Sequence, residues 1–156
     1  MRALIQRVSS ASVEVEGKVV GQCGLGFLVL VGVHKDDEPA HAVKLAEKLS
    51  GLRLFNDQED KMNLALADLP EQDLPQVLAV SQFTLYGDAS GSRRPSFGAS
   101  APYQKGQELF DLFVAELKKK VRGVETGVFG ASIKVSLVNE GPVTLILDVG
   151  PDKVKG

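Results

Sequence analysis

The 156-residue sequence predicts a single α/β domain, residues 1–156, with two main helices set against a sheet. Three observations carry that prediction. Phe27 to Val33 is a continuous apolar run, suited to a strand buried on both faces. Two stretches place apolar residues at helical spacing, and two runs near the end alternate apolar and polar residues as strands do. A chain of this length buries roughly 68–70% of the surface its unfolded form exposes, so a core needs no disulfide or metal.

Ala3 to Val8 and Ala11 to Val15 read as two short strands, followed by a turn at Glu16-Gly17-Lys18 before Val19-Val20. After the central run, Asp36 or Asp37 can cap a helix with Pro39 in its first turn; Ala42, Leu45, Ala46 and Leu49 form its buried face and Gly51 ends it. Leu52 to Phe55 reads as a short strand, Asn56 to Asp60 as a polar loop, and Met62 to Leu69 as a second apolar piece. Gln76 to Tyr86 reads as one strand, entering buried at Val77 to Val80 and leaving with polar residues exposed. Gly87 to Ala99, rich in glycine and small polar residues, is a long loop of the kind that carries function. Ser100 and Pro102 open a second helix with a stripe of Leu109, Leu112, Phe113, Leu117 and Val121. Ile133 to Val138 and Val143 to Val149 close the sheet as a hairpin, with Asn139 to Pro142 either its turn or a stiff loop presenting backbone carbonyls to a ligand.

The formal charge of −2 argues against gripping nucleic acid through bulk electrostatics, so any RNA contact must be local. Arg93-Arg94 in the long loop and Lys118-Lys119-Lys120 with Arg122 at a helix end are the basic clusters; the second suits the negative end of a helix dipole and reads as solvated. One cysteine, Cys23, forms no intramolecular disulfide, and the N-terminus lacks the pattern of a secretion signal, so a cytoplasmic protein is expected. The longest apolar stretch, Leu25 to Val33, falls far short of the roughly 20 residues that span a bilayer.

Much common chemistry is missing. His34 and His41 lie in no zinc-binding spacing, Gly24-Leu25-Gly26 precedes a strand where a dinucleotide fingerprint must follow one, and no Gly-x-Ser-x-Gly elbow marks a hydrolase triad. Asp57, Glu59 and Asp60 have no calcium-loop spacing and read as a solvated turn. What remains is Ser81-Gln82-Phe83-Thr84-Leu85, where strand periodicity would put Gln82 and Thr84 on one face.

Paired with Asn139-Glu140-Gly141-Pro142-Val143-Thr144, that segment resembles the two signature motifs of the D-aminoacyl-tRNA deacylase family. Leu4 to Val8 with Ala11-Ser12-Val13, Lys61 to Leu64, Arg94 to Phe97 and Val135 to Val138 are similar to the same family in the same order. The resemblance covers almost the whole chain. It implies a homodimer with a mixed, curved, barrel-like sheet, no metal and no cofactor. The implied reaction is hydrolysis of the ester joining a D-amino acid, and by extension mischarged glycine, to the 3′ end of tRNA. It further implies a cis Gly141-Pro142 peptide that reaches into the partner's site as a chiral gate, with Ser81, Gln82, Phe83 and Thr84 forming the catalytic segment. Arg7, Phe129 and Asn139 are the implied substrate-binding residues. Arg7, Arg93 and Arg94 either touch the tRNA end or are surface cations; Phe129 either lines an adenosine pocket or packs in the core.

An aminoacyl ester is already activated, so the site chiefly has to position water and stabilise an oxyanion. Backbone N–H groups near Phe83 and Thr84 suit that task, and no base stands beside Thr84 to make it a nucleophile. Family precedent assigns part of the water activation to the ribose 2′-hydroxyl. The rival readings are a noncatalytic nucleic-acid-binding dimer using the Arg93-Arg94 loop, and a serine or threonine esterase of small esters.

Overall fold

The computed structural model describes residues 1–150; residues 151–156 of the predicted domain lie outside the described residues. The strands are β1 (Arg2–Val15), β2 (Lys18–Cys23), β3 (Gly26–Gly32), β4 (Phe55–Asn56), β5 (Met62–Leu64), β6 (Val77–Ser81), β7 (Val124–Thr126) and β8 (Lys134–Asp148), with helices α1 (Pro39–Ser50) and α2 (Tyr103–Lys118). The main sheet runs β2-β1-β3-β6-β7, and β8 lies along β1. Pairs β3–β6 and β6–β7 are parallel, and the three pairs made by β1 are antiparallel.

The sheet curls until β2 meets β7, giving a nearly closed barrel. A side chain at Gly21 in β2 would collide with the Thr126 carbonyl of β7, and the Gln22 N–H donates to Glu125 Oε1 at 3.2 Å across the same seam. β3 sits at the centre. Its Phe27, Val29 and Val31 face the helices with Leu45, Leu49, Phe113 and Leu117, while Leu28 turns to the barrel interior with Val8, Val13, Leu78 and Val80. Burial on both faces is why its sequence shows no alternation.

Several expectations are corrected. The two short strands before Glu16 are one strand, because β8 pairs with both halves and spans the polar Ser9-Ser10 interruption with a register shift. Glu16 and Gly17 do form the following turn, at φ +50° and +79°. The α1 cap is Glu38, since Asp37 is committed elsewhere: its carboxylate accepts the Met1 ammonium at 2.7 Å and the His34 N–H at 2.7 Å. The strand expected at Leu52 to Phe55 shrinks to Phe55–Asn56, paired with β5.

Two further corrections fall on the signature segments. The strand read from Gln76 to Tyr86 stops at Ser81, where its partner β3 runs out, and Phe83–Tyr86 winds into a 3₁₀ turn. The expected terminal hairpin is a single strand, β8, whose two halves both run antiparallel to β1. Val8 pairs with Asn139 and Gln6 with Thr144, so Asn139 to Thr144 spans a short interval of β1 and its middle residues bulge out. Alternation cannot distinguish a hairpin from one bulged strand when the two apolar runs keep the same parity; the long straight edge of β1 decides it.

Candidate active site

A pocket of about 560 Å³ opens where parallel strands β3 and β6 end. Crevices outside the carboxyl ends of parallel strands are where α/β sheets bind ligands, because loops there diverge to opposite faces. Val31, Val33, Val80 and Ser81 form its floor, Gln82 and Phe83 one rim, and Tyr103, Phe110 and Phe129 an aromatic wall. The Phe129 ring stands edge-on to Tyr103 with centroids 5.0 Å apart and 6.2 Å from that of Phe110. Gly106 of α2 backs this wall, where a Cβ would make an ordinary contact with Phe129 at 3.5 Å.

The 3₁₀ turn brings Gln82 and Thr84 together by a route different from strand alternation. Gln82 Nε2 donates to Thr84 Oγ1, and both groups face solvent. The turn is pinned from three sides. Ser100 Oγ donates to the Phe83 carbonyl at 3.0 Å, Arg2 Nη1 donates to the Leu85 carbonyl at 3.0 Å, and the Gln82 N–H donates to the Val31 carbonyl at 2.8 Å. Beneath it, buried Tyr86 packs edge-on against His34 and under the Arg2 guanidinium. Ser100 and Arg2 carry no sequence signal for this role, because only the fold brings them to the turn. Phe83 itself projects outward, 57% exposed.

The second motif lies elsewhere. Gly141 and Pro142 are exposed on the β8 bulge, joined by a cis peptide, and neither lines the pocket of the same protomer. Arg7 is buried beneath the bulge. Its Nε donates to the Glu140 carbonyl at 2.9 Å, and its Nη1 to the Leu54 carbonyl at 2.7 Å and Asn56 Oδ1 at 3.1 Å. Asn139 ties the base of the bulge, its Nδ2 donating to Thr144 Oγ1 at 3.0 Å and its Oδ1 accepting the Val143 N–H at 3.1 Å. Gly141 sits at φ +130°, a region that disfavours any side chain.

Other reactive groups contribute little here. Burial pushes the Cys23 thiol up to about 11, which leaves it protonated and weakly nucleophilic near neutrality. The N–H groups of Lys61 and Glu59 donate to Asp57 and hold that carboxyl below its usual range, the behaviour of a solvated turn. Among the described residues, no group of three His, Cys, Asp or Glu side chains comes together as a metal site, and no helix is long and apolar enough to cross a membrane.

The family model described as D-Tyr-tRNA(Tyr) deacylase matches residues 4–148. The D-aminoacyl-tRNA deacylase of Pelobacter propionicus is 53% identical over 148 residues, 95% of this chain and 99% of that protein. That of Thermotoga petrophila is 52% identical over 148 residues, 95% of this chain and 97% of its own length. Among solved structures, one named c-Myc DNA Unwinding Element Binding Protein superposes with a TM-score of 0.87 at 31% identity, covering 97% of this chain and 100% of that one. Another, described as a probable eukaryotic D-amino acid tRNA deacylase, superposes with a TM-score of 0.78 at 20% identity over 95% of this chain and 98% of its own, a likeness of fold.

Proposed function

The chain belongs to the D-aminoacyl-tRNA deacylase family, and we propose that it hydrolyses the aminoacyl ester at the rim of this pocket, releasing free D-amino acid and tRNA, accepting glycyl-tRNA and rejecting L-aminoacyl-tRNA. The observation that carries the reading is the pinned Gln82 to Thr84 turn beside an aromatic pocket of about 560 Å³, a size suited to a nucleoside. The terminal adenosine enters against Phe129 and Tyr103, which places the ester carbonyl over the turn. The first N–H groups of a helical turn have no partner inside it, so those of Phe83 and Thr84 serve as oxyanion donors. Ser100 holds the Phe83 carbonyl, and the Thr84 N–H belongs to the same peptide plane, so Ser100 fixes the direction of that donor. Water adds to the carbonyl carbon, the bond to the ribose 3′-oxygen breaks, and that oxygen takes the proton.

Chirality is imposed by Gly141 and Pro142 of a second copy. Their backbone carbonyls hold the substrate ammonium and leave no room where an L side chain would project. Arg7 and Asn139 act on the substrate through the bulge they hold in place. A homodimer is supported by β8, which pairs only with β1 among the described strands and exposes Val138 and Ile146.

The test is deacylation of tRNA charged with D-Tyr, D-Asp, Gly or L-Tyr. Both D-esters and glycine are released and L-Tyr is retained; rapid loss of L-Tyr, or inert glycyl-tRNA, would sink the account. Thr84→Ala separates hydrogen bonding from covalent catalysis. Loss of one neutral hydrogen bond lowers kcat about tenfold, whereas losing a nucleophile costs on the order of 10⁶. A trapped acyl-enzyme would reinstate Thr84 as that nucleophile.

One other reading, a noncatalytic nucleic-acid-binding dimer, is favoured by the 31% identical structure, which is named for binding a DNA unwinding element. Binding to generic DNA or RNA that falls steeply with salt, without deacylation, is its signature.

A further inference from the structure

Beyond the pocket, the aromatic surface continues outward. Phe83 on the rim meets Phe97 edge-on, with ring centroids 5.2 Å apart and an interplanar angle of 68°. Phe97 is 37% exposed, so the pair forms an open ring surface in place of a closed core contact. Gly87 lets the Phe97 ring settle against the turn, because a Cβ there would lie 2.8 Å from that ring.

The loop that joins the two rings is also built. Asp88 and Ser96 exchange two backbone hydrogen bonds of 2.8 Å and fasten its base, which leaves Ala89 to Pro95 as a projecting tip. Ser90 caps the Asp88 carboxylate through its N–H at 2.9 Å and its hydroxyl at 2.6 Å. Arg93 and Arg94 stand exposed on the tip, and among the described residues neither is within ion-pair distance of a carboxylate. Arg94 lies two residues from the fastened base, within roughly 7 Å of it along the chain.

Rings beside exposed cations are what proteins use to bind single-stranded nucleic acid: bases stack on the rings and phosphates approach the cations. We propose that Phe83, Phe97, Arg93 and Arg94 form a second subsite, which binds the unpaired nucleotides immediately 5′ of the terminal adenosine of tRNA. The inference rests on the deacylase reading, and it is argued from continuity: with the last nucleoside in the pocket and its ester over the turn, the Phe83 rim and the adjoining Phe97 ring offer the strand an adjacent path toward the tip. Charge complementarity points the same way, since the tip concentrates positive charge in a chain of net charge −2.

The experiment compares two substrates that share the esterified terminal nucleoside and differ in the RNA 5′ of it, D-tyrosyl-tRNA and the D-tyrosyl ester of free adenosine. Their kcat/KM values are measured for the full chain and for Phe97→Ala, Phe97→Leu and the Arg93→Gln/Arg94→Gln pair. Phe97→Leu keeps an apolar side chain against Phe83 while removing the ring. The tRNA-to-adenosine ratio of kcat/KM is expected to fall about tenfold in both Phe97 variants, in the range of one base–aromatic stack. It is also expected to fall in the arginine pair, with the salt dependence of the tRNA reaction shallower by about one unit of log–log slope. The inference is overturned if both substrates lose activity in parallel, which would make Phe97 a prop for Phe83 or for a second copy, or if the ratio does not move. Failure of the unaltered chain to hydrolyse either ester overturns the deacylase reading, and this inference with it.

Discussion

Arg7→Ala is expected to lower kcat/KM for D-tyrosyl-tRNA by at least about 100-fold, although Arg7 lies beneath the bulge and outside the pocket. The side chain is buried, and its guanidinium is the common donor to three acceptors, two of them carbonyls on separate segments, at Glu140 and Leu54. Removing it frees the bulge from β4, and a misplacement of about 1 Å in a positioning group is enough to cost on the order of 10² in rate. It also removes three part-buried hydrogen bonds to a charged donor, which costs on the order of 2 kcal/mol of stability. Lysine does not rescue, because a single ammonium cannot reproduce a planar fork bonded on two sides. Gly141→Ala is expected to give a loss of similar size through the same contact: a Cβ there would lie 2.8 Å from Arg7 Nη2 and 3.0 Å from Val143 Cγ2, on a backbone at φ +130°. Since both changes disturb one contact, the double variant should be little worse than either alone. Additive losses, or Arg7→Ala activity within about threefold of the unaltered chain, would detach Arg7 from the gate.

Gly26→Ala is expected to be the most destabilising glycine substitution in the sheet. Gly26 pairs with Val8 of β1 on one side, and on the other the Phe27 N–H bonds the Gln76 carbonyl where β6 begins. A Cβ at Gly26 would overlap the Gln76 carbonyl oxygen outright and lie 2.7 Å from its carbon. Main chain cannot rotate away as a side chain can, so relief requires prising β6 from β3, and β6 is the strand that delivers Ser81 to the pocket. The cost is about 3 kcal/mol, the upper part of the overpacking range. In a domain of this size that corresponds to roughly 6–12 °C in Tm. Gly51→Ala is the control: its nearest neighbours would be ordinary contacts at 3.8 and 3.9 Å, so its Tm should move by only a few degrees. Equal melting temperatures for the two variants would contradict this account of the β3–β6 junction.

The two signature segments show how far a linear reading reaches. Gln82 and Thr84 were expected side by side, and they are, but a 3₁₀ turn joins them where strand alternation was the stated cause. Asn139 to Thr144 was expected to matter and to interrupt a sheet. It interrupts by bulging from one strand, and Arg7, read as either a tRNA contact or a surface cation, proves to be the buried residue bonded to that bulge.

Amino-acid order by itself determined the periodic parts of this protein: the two helices, with the buried face of α1 and Leu109, Phe113 and Leu117 of α2 (the expected Val121 falls beyond the helix end and Leu112 is half-buried), the doubly buried β3, the turn at Glu16-Gly17 and the two motifs of the family. Those features are local, because hydrophobic spacing and turn chemistry act over a few residues and leave their mark in order and identity. The tertiary structure alone decided where β6 stops, that β8 is one strand, that Ser100 and Arg2 hold the Phe83 turn, and that the Gly141-Pro142 bulge lies away from the pocket of its own protomer. Each of these is fixed by partners distant along the chain: the end of β3, the length of β1, and the hydrogen bonds that exposed or buried carbonyls require once strands are side by side.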